Sequence, residues 1–195
     1  YIVMEYLSGG TLANELAQLR KNDEALPIQK AVEIAKQIAQ ALDYAHQQAV
    51  IHRDVKPSNI LLNRAGQAYL VDFGIARIAT AVETAAGIIH GTPTYMSPEQ
   101  ISGRKIDGRS DLFSLAVTMY QLLCGKLPFE GSNFNELMYR LVSASHPDIR
   151  SINPALPSDL GAFFDKALAK NPKQRFQTGH EFATAARAAL AWAEN

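Results

Sequence analysis

Apolar side chains at Ile28, Ala31, Ala35, Ile38, Leu42 and Ala45 recur every three or four residues. That spacing lines one face of a long helix, which should end before Val50. Upstream, the β-branched and aromatic run Tyr1-Ile2-Val3-Met4-Glu5-Tyr6-Leu7 reads as a strand. No turn precedes it, so more chain is expected before Tyr1. Ser8-Gly9-Gly10 breaks the strand, and Thr11 caps a short helix through about Leu19. Periodicity fails over 51–71, where Ile60-Leu61-Leu62 and Ala68-Tyr69-Leu70-Val71 flank a polar turn and predict a small hairpin. Over 75–99 there is no clean period, with Gly87, Gly91, Pro93 and Pro98 interspersed; a loop of that length is expected to be a lid or switch. A segment over 109–123 is apolar nearly all round, which predicts a centrally buried helix stopped by Gly125 and Pro128. Three more helices are expected near 133–143, 158–169 and 178–193, with no internal repeat, low-complexity tract or domain linker.

The chemistry concentrates where periodicity fails. Asp54, Lys56 and Asn59 lie within one short loop, and Asp72-Phe73-Gly74 follows the hairpin. A carboxylate able to take a proton, a cation and two oxygen donors suited to Mg2+ are what phosphoryl transfer to a hydroxyl needs, because that reaction runs mainly on positioning and charge neutralisation. Read alone, the same loop is also compatible with a turn in which Asp54 and Asn59 bond only to local backbone.

The run Ile51-His52-Arg53-Asp54-Val55-Lys56-Pro57-Ser58-Asn59-Ile60-Leu61-Leu62, followed by Asp72-Phe73-Gly74, resembles the catalytic and metal loops of eukaryotic-like protein serine/threonine kinases, more of the bacterial type. The resemblance implies an α+β, protein-kinase-like fold: a mainly helical C-terminal lobe with a small β-hairpin, the N-terminal lobe being largely absent. Residues 1–8 would be the last N-lobe strand and hinge, and 9–195 the C-terminal lobe. It implies ATP and Mg2+ as cofactors, with Mn2+ as an alternative, and Ser/Thr hydroxyls of protein substrates as acceptors. Asp54 would accept or orient the acceptor's proton, Lys56 contact the transferring phosphate, and Asn59 and Asp72 bind metal. Met4, Glu5 and Leu7 resemble the gatekeeper and hinge that hold adenine, with Leu61 as its apolar floor. His52 and Phe73 would stack in an internal apolar column.

The segment Gly91-Thr92-Pro93-Thr94-Tyr95-Met96-Ser97-Pro98-Glu99 resembles the substrate-binding end of an activation segment, with Ser-Pro-Glu where many members have Ala-Pro-Glu. By the same resemblance Glu99 pairs with Arg175 inside the fold, Asp111 holds the catalytic loop's backbone amides, Thr92 bonds to Asp54 and Lys56, and Arg53 receives a phosphorylated activation loop. Thr84 is the expected phosphosite, since Thr80 and Thr84 are the only hydroxyls over 75–90. Lys56, two residues after Asp54, marks Ser/Thr rather than Tyr preference. The chain contains no Gly-rich loop, no Val-Ala-Ile-Lys type strand and no helix bearing that lysine's glutamate. Two alternatives remain: a pseudokinase-like docking lobe and a small-molecule phosphotransferase of kinase-like fold.

Composition narrows the partners. The 195 residues are 47% hydrophobic, and 19 Lys plus Arg match 19 Asp plus Glu. A sizeable core is affordable, and no global field favours nucleic acid or an anionic membrane. The single cysteine, Cys124, excludes an intrachain disulfide and fits a reducing compartment. No apolar run is long enough to span a bilayer. A cytoplasmic location is therefore expected, with anchoring outside this segment left open, as is the oligomeric state.

Overall fold

The computed structural model describes residues 7–22, 24, 26–73 and 93–190. The run 1–6, read above as a strand, and most of 75–99 lie outside the described residues. Helix α1 (Leu12–Lys21) starts at Thr11, whose side chain accepts from the Asn14 amide at 3.1 Å. Helix α2 (Ile28–Gln47) buries Ala31, Ala35, Ile38, Leu42 and Ala45 on one face. Strands β1 (Ile60–Leu62) and β2 (Ala68–Leu70) pair antiparallel, with Leu61 opposite Tyr69. The backbone at 9–11 adds a short third edge: Gly9 N donates to Leu62 O at 3.0 Å, and Leu62 N donates to Gly10 O at 2.9 Å. A Cβ on Gly9 would lie 2.4 Å from Leu62 O, so only glycine permits that approach.

Helix α3 (Pro98–Ile101) is a single turn closed by a capping box between Ser97 and Gln100. Helix α4 (Gly108–Cys124) ends at Gly125 in the left-handed conformation (φ 71°). Every residue from Ser110 to Leu123 is buried, so α4 is the central spine, and α2 lies against it. Four further helices surround it: α5 (Phe134–Ser143), α6 (Ile149–Ile152), α7 (Asp159–Ala167) and α8 (Gly179–Ala188). Phe163 packs its ring 5.1 Å from Phe164, 5.3 Å from Phe176 and 5.0 Å from Phe182, joining α7, α8 and the turn between them.

Two helices are shorter than their apolar patterns suggest. Helix α7 stops at Ala167 rather than near 169: Ala169 N donates to Lys166 O at 3.3 Å, a tightened final turn, and the carbonyls beyond it accept from Arg175, Nε to Ala169 O at 2.7 Å and Nη2 to Lys170 O at 3.0 Å. Helix α8 ends at Ala188 rather than near 193; Leu190 N donates back to Arg187 O at 3.2 Å, a tightened final turn. Among the described residues, no helix is long and apolar enough to cross a membrane.

Candidate active site

Residues 51–56 have no regular structure of their own, and side chains from three distant elements hold them in place. Asp111, in the first turn of α4 and 1% exposed, accepts from His52 N at 2.9 Å and from Arg53 N at 2.7 Å. His46 Nε2, near the end of α2, lies 2.8 Å from the same carboxylate. Gln100 Nε2, in α3, donates to Arg53 O at 2.8 Å. Arg53 has φ 68°, a left-handed conformation costly for a side chain with a Cβ. Its amide and carbonyl are both claimed by fixed partners, which is how such a conformation persists.

His52 is fully buried, and its imidazole orders the loop from below. Nδ1 accepts from Asp54 N at 3.2 Å, so Nε2 carries the proton and donates to Val71 O at 2.9 Å. Burial pushes the His52 pKa down against the pull of Val71 O and the carboxylates of Asp111, Asp54 and Asp72, in keeping with a neutral ring. The ring lies 4.6 Å from that of Phe73.

Above this base, Asp54, Lys56 and Asn59 form one cluster. Lys56 Nζ is 2.8 Å from Asp54 Oδ2. Asn59 Nδ2 donates to Asp54 O at 2.8 Å and to Asp54 Oδ2 at 3.1 Å, which turns the amide oxygen of Asn59 away from the carboxylate. Pro57, at the start of the 3-10 turn Pro57–Asn59, sets this geometry. Val71 N donates to Asn59 O at 3.0 Å, so Asp72 follows directly beside Asn59. Asp72 is exposed and has φ 60°, a second left-handed residue in the same site. Asp54, Lys56 and Asn59 are thus bonded to one another, Asp72 directly follows the residue whose amide reaches Asn59 O, and Leu61 is half-buried on β1.

A second buried cluster lies beneath. Arg175 Nη1 is 2.7 Å from Glu99 Oε1 and Nη2 is 2.8 Å from Oε2, a bidentate pair. Ser110 Oγ donates to Glu99 Oε1 at 2.5 Å, and the guanidinium lies 4.7 Å from the centre of the Phe113 ring. Thr94 and Pro93 are buried in the adjoining turn Pro93–Tyr95. Met4, Glu5, Thr84 and Thr92 lie outside the described residues; Leu7 is in irregular chain. Sequence reasoning did not find His46 or Gln100, because His46 acts through Asp111, 65 residues away, and Gln100 stands 47 residues from Arg53.

The protein kinase domain model matches residues 1–186. The chain belongs to the protein kinase family. Its kinase relatives include serine/threonine-protein kinase PknB of Mycobacterium leprae, 41% identical over 184 residues, which are 93% of this chain and 29% of that protein. Serine/threonine-protein kinase Pkn1 of Myxococcus xanthus is 40% identical over 197 residues, 98% of this chain and 28% of that one. The chain therefore spans under a third of the length of these relatives. The crystal structure of the Mycobacterium tuberculosis PknI kinase domain superposes with a TM-score of 0.73 at 31% identity, covering 95% of this chain and 64% of that one. The fold is kinase-like, mainly helical with a two-stranded antiparallel sheet.

Proposed function

We propose that this chain carries the catalytic and metal loops of an ATP-dependent protein serine/threonine kinase, with residues 1–8 as the last N-lobe strand and hinge and 9–195 as the C-terminal lobe. The single observation that carries the reading is the cluster in which Lys56 and Asn59 both bond to Asp54 while Val71 N ties Asn59 to the residue preceding Asp72. That its relatives are serine/threonine-protein kinases favours this over the docking-lobe and small-molecule alternatives.

Asp54 orients the acceptor hydroxyl and takes its proton, while Lys56 beside it offsets negative charge on the transferring group. The donor set suits a hard cation: one amide oxygen, aimed outward because Asn59 Nδ2 is engaged, and one exposed carboxylate at Asp72. Among the described residues no group of three or more His, Cys, Asp and Glu forms a cation cage, so phosphate oxygens and water would complete the shell. Asn59 and Asp72 would hold Mg2+, with Mn2+ the alternative, and the cation would supply charge neutralisation at the transferring phosphate. Leu7 and Leu61, with Met4 and Glu5, would hold the adenine.

Asp54→Asn and Asp72→Asn in the natural full-length protein test the reading. Each should lower kcat for a Thr-containing protein acceptor by about 10²- to 10⁴-fold, with the fold retained by circular dichroism. Wild-type rates in either variant would overturn it. Regulation by phosphate on Thr84, received by Arg53, belongs to the same proposal. Thr84→Ala should lower activity, and full activity with no phosphate on that residue by mass spectrometry would remove this part.

A further inference from the structure

Two cavities adjoin the catalytic loop and α1. One, of about 260 Å3, is lined by Lys56, Ser58, Thr94, Tyr95 and Leu127 together with Ala13 of α1. The other, of about 280 Å3, shares Ala13, Pro57 and Tyr95 and continues to Gln121 and Arg20. Among the described residues no carboxylate lines either cavity, and each contains one cation, Lys56 in the first and Arg20 in the second. A polypeptide presenting a hydroxyl to Asp54 has this trough beside it.

The geometry of α1 sets the scale. Ala13, Leu16, Ala17 and Arg20 all line the second cavity, at the spacing of one helix face. At about 1.5 Å rise per residue, Arg20 lies about 10 Å along the trough from Ala13, which is the reach of about three residues of extended chain. The small side chains of Ala13 and Ala17 leave the way open between the two ends. Arg20 is exposed, and its Nη2 donates to Gly125 O at 2.7 Å, the carbonyl of the left-handed residue that ends α4. The guanidinium is therefore held in place by a neutral oxygen, and no carboxylate among the described residues pairs with it. Glu24 shares a third cavity, of about 340 Å3, with Arg20, but that cavity reaches neither Tyr95 nor Pro57. Arg20 has no ion pair with any described residue. Its charge is felt along the trough wall: burial raises the Tyr95 pKa, and the bond to Gln121 and the Arg20 charge oppose the rise.

Resting on the kinase reading, we infer that this trough selects substrate segments bearing an acidic side chain about three or more residues from the acceptor Ser or Thr, recognised by Arg20, and disfavours a basic side chain there. The partner is thus an acidic segment of a protein substrate.

Matched peptides with one Thr acceptor, carrying Glu, Gln or Lys at each of about two to five positions on either side, are compared by kcat/KM with the natural full-length protein. Glu should be preferred over Lys by about tenfold at a position about three to five residues from the acceptor on one side. The preference should act through KM and shrink as salt rises toward about 0.5 M. Arg20→Gln should level the Glu-to-Lys ratio, and Arg20→Glu should invert it. Phosphorylation with equal rates for Glu and Lys peptides, or a ratio unchanged in Arg20→Glu, would overturn this inference while leaving the kinase reading standing. Absence of any transfer to Ser or Thr in peptides and proteins alike would overturn the kinase reading and the inference with it.

Discussion

Glu99 and Arg175 are 4% and 2% exposed, so each is satisfied only by the other and by the few fixed groups around it. Both guanidinium nitrogens that face the carboxylate are bonded to it, and the remaining donors reach Arg109 O, Ala169 O and Lys170 O. Removing one partner strands the other in a low-dielectric interior. Glu99→Ala and Arg175→Ala should each cost about 3–5 kcal/mol in chemical unfolding. The double mutant should cost much less than the sum, and additive losses below about 1 kcal/mol would mean that the pair carries no coupling. The same pair sets an acid limit. Burial drives the Glu99 pKa up, but the hydrogen bonds and charge of Arg175, with Ser110, outweigh it and hold the pKa below its ordinary 4.5. A carboxyl depressed in the folded state stabilises fully above its unfolded pKa and loses that contribution as pH falls below about 4.5. Stability should therefore drop across that acid range in the wild type and more shallowly in the Glu99→Gln variant, as read by unfolding midpoints against pH.

Elements meet through two contacts that only particular residues allow. At the start of α8, Asp43 of α2 accepts from Gly179 N and His180 N, both at 2.6 Å, capping one helix with the side chain of another. A Cβ on Gly179 would lie 2.2 Å from Ala39 O, a backbone atom that cannot swing aside. Gly179→Ala should therefore push α8 off α2 and cost about 1–3 kcal/mol, whereas Gly161→Ala on α7, where nothing lies within 4 Å, should cost nothing or stabilise. Differential scanning calorimetry of the two variants checks the contrast. The second contact is Asp111 of α4, which holds the His52 and Arg53 amides. Asp111→Asn retains size but offers one acceptor fewer, so the natural protein should lose about 10- to 100-fold in kcat while Asp54 is untouched. Unchanged kcat would show that the loop needs no such clamp.

For the whole molecule, the decisive fact is that positioning supplies most of the rate in phosphoryl transfer. The 195 residues contain no Gly-rich loop and no Val-Ala-Ile-Lys type strand to cover a triphosphate. The chain by itself should transfer phosphate hardly at all in a radiolabel assay. Ordinary kinase turnover by the isolated 195 residues would show that the described cluster suffices.

The sequence by itself determined the elements whose pattern repeats and the residues whose chemistry is unusual. Helix α2 was legible because six apolar positions share a helical face, and α4 because an apolar surface on every side can only be buried. Asp54, Lys56, Asn59 and Asp72 stood out because the two motifs that carry them occur together, in the order and spacing that resemble protein-kinase catalytic and metal loops; either alone would read equally as a turn. Single turns such as α3 and α6 were not legible, since four residues are too few to show a period. Nor were His46 on Asp111 or Gln100 on Arg53 O, pairs separated by 65 and 47 residues. Tertiary structure alone decided which buried polar groups would meet, because desolvated donors and acceptors must find partners wherever packing brings the chain, and local pattern carries no record of that distance. It also decided that the carbonyls of 169 and 170, just past the end of α7, are satisfied by Arg175.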